Sequence, residues 1–289
     1  MNSFLTIDFP ALLVALLASL LCALLGNFLI LRKQAMMSDA LSHVVLLGLV
    51  GGYLAFRSLA PLPMIIGALS ACLIAVGLIF ALSRIKVLER GAVMGIVFTV
   101  MFALGLVLLE TATHGVHLDA HHALYGGLEL TYWAKPHSWE TFPLTIKSLA
   151  CVLILCTGFV ALFYRKLIAG SFDPIFARSA GLQEKLTSIG LMACIAIAMV
   201  ASFDAVGSIL VIALFVCPPA AARLLSTSMH MQIKLSLVFA VLSALTGYAL
   251  AIALPNMAEF SHSLSGGGMI ALCSSLYFGA TFIYVRFRA

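Results

Sequence analysis

Nine long apolar runs follow one another along this chain, near residues 11–31, 35–56, 63–83, 92–110, 143–164, 186–203, 206–223, 234–254 and 267–285. A helix needs roughly 20 apolar residues to cross a bilayer. The runs are continuous rather than alternating, which selects helices over a barrel. Only Asp204 and Ala205 separate the sixth run from the seventh, so one of that pair is open to being short or broken, and the count is eight or nine. The chain is 63% hydrophobic and 9% charged, against about 45–50% and about 25% in soluble domains. That leaves too little polar surface to cover a water-soluble globule. A cytosolic enzyme, a disulfide scaffold and a disordered chain are excluded. A nucleic-acid binder is excluded too, because the 16 Lys and Arg serve as helix-end anchors. The expectation is an all-α integral membrane protein, a single polytopic domain over 1–289. The start MNSFLTIDFP has no basic n-region, so no cleaved signal peptide is expected. The seven cysteines lie inside apolar runs without a CxxC pair and read as buried free thiols.

Basic residues set the orientation. An outer N-terminus gathers Arg32, Lys33, Arg84, Lys86, Arg90, a segment at about 165–185, Arg223, Lys234, Arg286 and Arg288 on the inner side, leaving only Arg57, Lys135 and Lys147 outside. The outer side then holds most of the acids and His114, His117, His121, His122, His137 and His262. Two loops are longer than connection requires, an outer one at about 111–142 and an inner one at about 165–185, and long loops tend to carry function. No Walker sequence is present, so any ATP-driven work needs a nucleotide site on another chain.

Five stretches carry chemistry. In Met37-Ser38-Asp39-Ala40-Leu41-Ser42-His43, Asp39 and His43 are four apart and share a helix face at or inside a span. An ionisable residue there is costly unless it meets a cavity or a partner. A carboxylate with an imidazole suits zinc, with manganese also open. The alternative is a helix start, with Ser38 as N-cap and Asp39 complementing the dipole; it leaves His43 less well explained. Asp204 either lines a pathway or sits at the outer interface in a turn between two helices. His114, His117, Asp119, His121 and His122 form a dense metal-capable patch, read as a weak collecting site, as part of a docking surface for a metal-delivering partner, or as a solvated loop without metal. In Ser171-Phe172-Asp173-Pro174…Ala177-Arg178…Gly181-Leu182, Asp173 is placed to cap a short helix that starts at Pro174 and ends at Gly181. That helix is either shaped for a groove in another protein or a plain connector. Finally, the run 207–225 contains Pro218-Pro219 followed by small residues, which reads either as a broken helix of the transporter kind or as a static kink.

The order and spacing of Met37–His43, of Ser171–Leu182 and of Gly207…Pro218-Pro219-Ala220-Ala221-Ala222-Arg223-Leu224-Leu225 resemble the permease subunits of bacterial zinc and manganese ABC importers, the ABC-3 family. The likeness covers nearly the whole chain. It implies a homodimer similar to type II ABC importers, in the inner membrane, with cytoplasmic ATP-binding subunits and a periplasmic metal-binding protein. It implies no resident cofactor and no enzymatic activity on this chain; the metal is cargo. On this resemblance Asp39 and His43 match the intramembrane metal-contacting pair. Phe172, Asp173 and Pro174, with Ala177, Arg178 and Gly181, match the region that couples to the ATPase. The double proline and the dense outer histidines depart from the usual pattern, and the surplus imidazole favours zinc over manganese, with a manganese or iron importer of the same family the alternative. A siderophore or corrinoid permease would want a wider aromatic cavity without a charged pair. An intramembrane metalloprotease would want HExxH, which is absent.

Overall fold

The first apolar run has no polar stripe, and a helix that is apolar all round belongs at the centre of a bundle. The computed structural model, which describes residues 6, 8–58, 60–84, 89–112, 128, 133, 143–173, 179, 183–258 and 264–288, places it there. Helix α1 (Phe9–Leu31) is buried along most of its length, with Val14, Ala18, Leu21, Leu25 and Phe28 fully enclosed. The other helices are α2 (Met36–Phe56), α3 (Pro61–Leu82), α4 (Arg90–Ala112), α5 (Leu144–Phe172), α6 (Glu184–Val206), α7 (Ser208–Leu225), α8 (Met229–Ala258) and α9 (Gly266–Arg288). All nine are long and apolar enough to cross a membrane, and among the described residues there is no strand.

Two central helices organise the rest. α1 packs against α5, α6, α7 and α8, and α6 packs against α1, α3 and α5. A group α2–α3–α4 and a group α7–α8–α9 flank this pair. Outward faces are apolar, with Ile96, Val100, Leu104 and Val107 on α4 and Leu272, Leu276, Phe282 and Ile283 on α9 all exposed. That is the surface a helix bundle presents to lipid rather than to water.

Small residues let the helices of the first group touch. Gly48 and Gly52 on α2 face Gly67 on α3; a Cβ on Gly52 would lie 2.7 Å from the Pro63 carbonyl, and one on Gly48 would strike Ala68. This is the small-xxx-small device by which membrane helices approach, where lipid supplies no hydrophobic drive between them. Polar glue ties the second group to the centre: Asn27 Nδ2 of α1 donates to Ser236 Oγ of α8 at 2.6 Å, with both residues fully buried.

Several boundaries differ from those read in the sequence. α5 continues to Phe172, so the inner connection is 173–183 and not 165–185. Arg165 and Lys166 lie within the helix, where long basic side chains fold their stems along apolar surface; Lys166 Nζ sits 5.5 Å from the centre of the Phe163 ring. α4 runs to Ala112, so residues 111 and 112 are helical rather than outer loop. Helices α6 and α7 are both full spans, and the break between them is Gly207 alone, at φ 82° and ψ 166°. The broken-helix reading of Pro218-Pro219 is corrected: α7 is continuous through both prolines. Pro219 frees the Phe215 carbonyl of its usual partner, and Gly26 of α1 packs against that same oxygen, where a Cβ would collide. A neighbouring backbone occupies the place of the missing bond.

Candidate functional site

The site begins at the turn that joins α1 to α2. Arg32 caps α1, and Lys33 takes the left-handed conformation at φ 56°. Lys33 N–H donates to Ile30 O at 3.1 Å and Gln34 N–H to Leu29 O at 2.8 Å. These two bonds are a Schellman closure, with lysine where glycine is commonest. The chain therefore reverses within four residues, and α2 starts at Met36.

The structure brings Asp39 and His43 together. His43 Nε2 lies 3.4 Å from Asp39 Oδ1, one turn apart on α2, with the side chains 29% and 42% exposed respectively. At 1.5 Å per residue they lie about 5 and about 10 Å from the helix start, toward the end of the bundle that carries Arg32 and Lys33. The capping alternative is corrected in part. The N-cap is Ala35, and Ser38 lies inside the helix with its hydroxyl donating back to Ala35 O at 2.8 Å. Asp39 does sit in the first turn, where a carboxylate complements the helix dipole. Nothing in that role needs an imidazole one turn further on.

Two aromatic residues of α4 that the sequence reading passed over hold the imidazole. The His43 ring lies 5.0 Å from Phe98 and 5.1 Å from Phe102, centre to centre. The phenylalanines are four apart, so they line one α4 face, and Gly105 one turn beyond lets that face approach Leu47 of α2. Their (i, i+4) spacing was visible in the sequence, but nothing there connected α4 to α2. The ring contacts fix the imidazole, and both side chains of the pair stay partly exposed. A cavity of about 380 Å³ begins one turn further along α2, at Leu47, and is lined also by Gly51, Ala55, Ile66, Ser70 and Met101; neither Asp39 nor His43 lines it. Among the described residues, no three His, Cys, Asp or Glu side chains converge. One chain therefore offers a cation one carboxylate and one imidazole here.

Asp204 lies in the last turn of α6 and is exposed, beside the Gly207 break and not in a turn of its own. It is at the opposite end of α6 from Glu184, far along the chain from the Asp39 pair. Phe172 ends α5 and is 56% exposed, and Asp173 follows in extended backbone. Pro174, Ala177, Arg178 and Gly181, and with them the proposed short helix, lie outside the described residues. So do His114, His117, Asp119, His121 and His122.

The chain is 34% identical over 281 residues to the manganese transport system membrane protein MntD of Bacillus subtilis, covering 96% of this chain and 92% of that one. It is 35% identical over 268 residues to the zinc transport system membrane protein TroD of Treponema pallidum, covering 90% and 71%. The PsaBC structure from Streptococcus pneumoniae, solved with a Fab, has the same fold, with a TM-score of 0.75 and 24% identity over 94% of this chain and 90% of that one. The profile of the ABC 3 transport family matches residues 5–284, and this multi-pass membrane protein belongs to that family.

Proposed function

We propose that the chain is the membrane-spanning permease subunit of an ATP-driven importer for a divalent metal cation, zinc first. The observation that carries this reading is the Asp39–His43 pair, a carboxylate and an imidazole 3.4 Å apart on a membrane span. A borderline cation takes both donor types. Two donors per chain hold a passing ion without trapping it, and release is as necessary to transport as binding. A second copy across a twofold axis would bring the donors to four, which is the homodimer proposed here.

In this mechanism, an extracytoplasmic binding protein delivers the ion to the outer side of the inner membrane. Glu110, Asp204 and the patch His114, His117, Asp119, His121 and His122 raise its local concentration there by charge and by weak ligation. It pauses at Asp39 and His43. ATP-binding subunits docked at Phe172, Asp173, Pro174, Ala177, Arg178 and Gly181 switch the open side. Manganese is the second reading, favoured by the likeness to MntD. The test is uptake into vesicles reconstituted with the ATP-binding subunit and binding protein, with radioactive zinc and manganese offered in competition. The proposal expects ATP-dependent accumulation in which zinc displaces manganese. Manganese displacing zinc would move the reading to manganese, and accumulation of neither would reject the function.

A further inference from the structure

Arg32 does more than end α1. Its Nε donates to Ser171 Oγ at 2.9 Å and its Nη1 to Ser188 Oγ at 2.6 Å. Ser171 lies in the last turn of α5, two residues before the inner connection 173–183, and Ser188 lies in the second turn of α6, just after it. One guanidinium thus holds both flanks of the 173–183 segment. The local sequence is fitted to this. Ser171 Oγ is fixed by donating onward to Leu167 O at 2.6 Å. Gly170 keeps the α5 end clear: a Cβ there would lie 3.2 Å from Glu184 Cγ and 4.0 Å from Arg32 Nη2.

On its other side Arg32 is joined to the site by a stiff turn. From Arg32 to Asp39 is seven residues, and backbone bonds from Gln34 N–H to Leu29 O at 2.8 Å and from Met37 N–H to Gln34 O at 2.9 Å close it. Little slack is left between the guanidinium and the first turn of α2. A planar fork donates in two directions at once, which a lysine ammonium on a flexible stem does not reproduce.

We infer that Arg32 is a positioning residue that couples the flanks of the 173–183 segment to the start of α2, so that moving those flanks moves Asp39 and His43. This rests on the proposed function, in which an ATP-binding partner acts on that segment. The test uses the complete transporter in vesicles, with Arg32→Lys, Arg32→Gln and the Ser171→Ala/Ser188→Ala double variant. Zinc uptake and ATP hydrolysis are read in the same vesicles, and equilibrium zinc binding is read on the purified complex. Coupling through Arg32 expects retained hydrolysis and unchanged zinc binding, with zinc moved per ATP falling about tenfold, the scale set by losing hydrogen bonds from a charged donor. The milder serine variant carries the test if Arg32→Gln does not assemble. An unchanged ratio of zinc to ATP, or uptake and hydrolysis falling in proportion, would overturn the inference. Loss of the proposed function itself looks different: the unaltered complex would then move no metal.

Discussion

At the scale of residues, the site consists of one carboxylate, one imidazole and the two rings that hold it. Phe98 and Phe102 both contact the His43 ring. Aromatic contacts of this kind contribute about 0.5–1.5 kcal/mol beyond area, so either Phe→Leu exchange should raise the half-saturating metal concentration for uptake by about two- to tenfold. Assembly, read by gel filtration, should be unchanged. Lys33 offers a second check. A left-handed lysine costs about 1–2 kcal/mol, so Lys33→Gly should raise the unfolding midpoint in detergent. The pairing of Asp39 with His43 was legible in the sequence, because helical spacing alone puts such residues on one face. The aromatic clamp and the Arg32 fork were not, since both join segments far apart in the chain, and only packing supplies that adjacency.

At the scale of elements, glycine decides where helices meet. Gly48, Gly52 and Gly67 leave no room for a side chain at the α2–α3 crossing, whereas Gly51, on the same helix, faces open space. Gly67→Val should therefore destabilise the bundle by about 1–3 kcal/mol, the scale of overpacking, while Gly51→Ala should not lower stability. Thermal unfolding in detergent separates the two. Gly207 occupies a region of backbone space that is essentially glycine's own, so Gly207→Ala should cost about 1–3 kcal/mol in the same assay. The spans themselves were readable because bilayer thickness fixes their length. Their ends were less so: Arg165 and Lys166 read as the start of a loop, yet α5 carries them within the helix. The prolines of α7 read either as a break or as a kink, and the neighbouring Gly26 backbone is what makes continuity tolerable there.

At the scale of the whole molecule, the nine spans among the described residues put the two ends of the bundle on opposite sides of the membrane, and the basic residues put the C-terminal end inside. A green fluorescent protein fused after Ala289 should fluoresce in the cell, and an impermeant thiol reagent should label a cysteine at position 8 from outside in a chain otherwise free of cysteine. Among the described residues of the single chain the Asp39–His43 pair is partly exposed and offers two donors, so on the proposed reading the site is completed between two copies. The most direct test of the account is equilibrium zinc binding and ATP-driven zinc uptake by the assembled transporter carrying Asp39→Asn, which keeps the shape and removes the charge. The account expects uptake to fall to the level of vesicles without ATP while the complex assembles normally and the site's zinc stoichiometry is lost. Undiminished uptake and binding with asparagine at that position would contradict it.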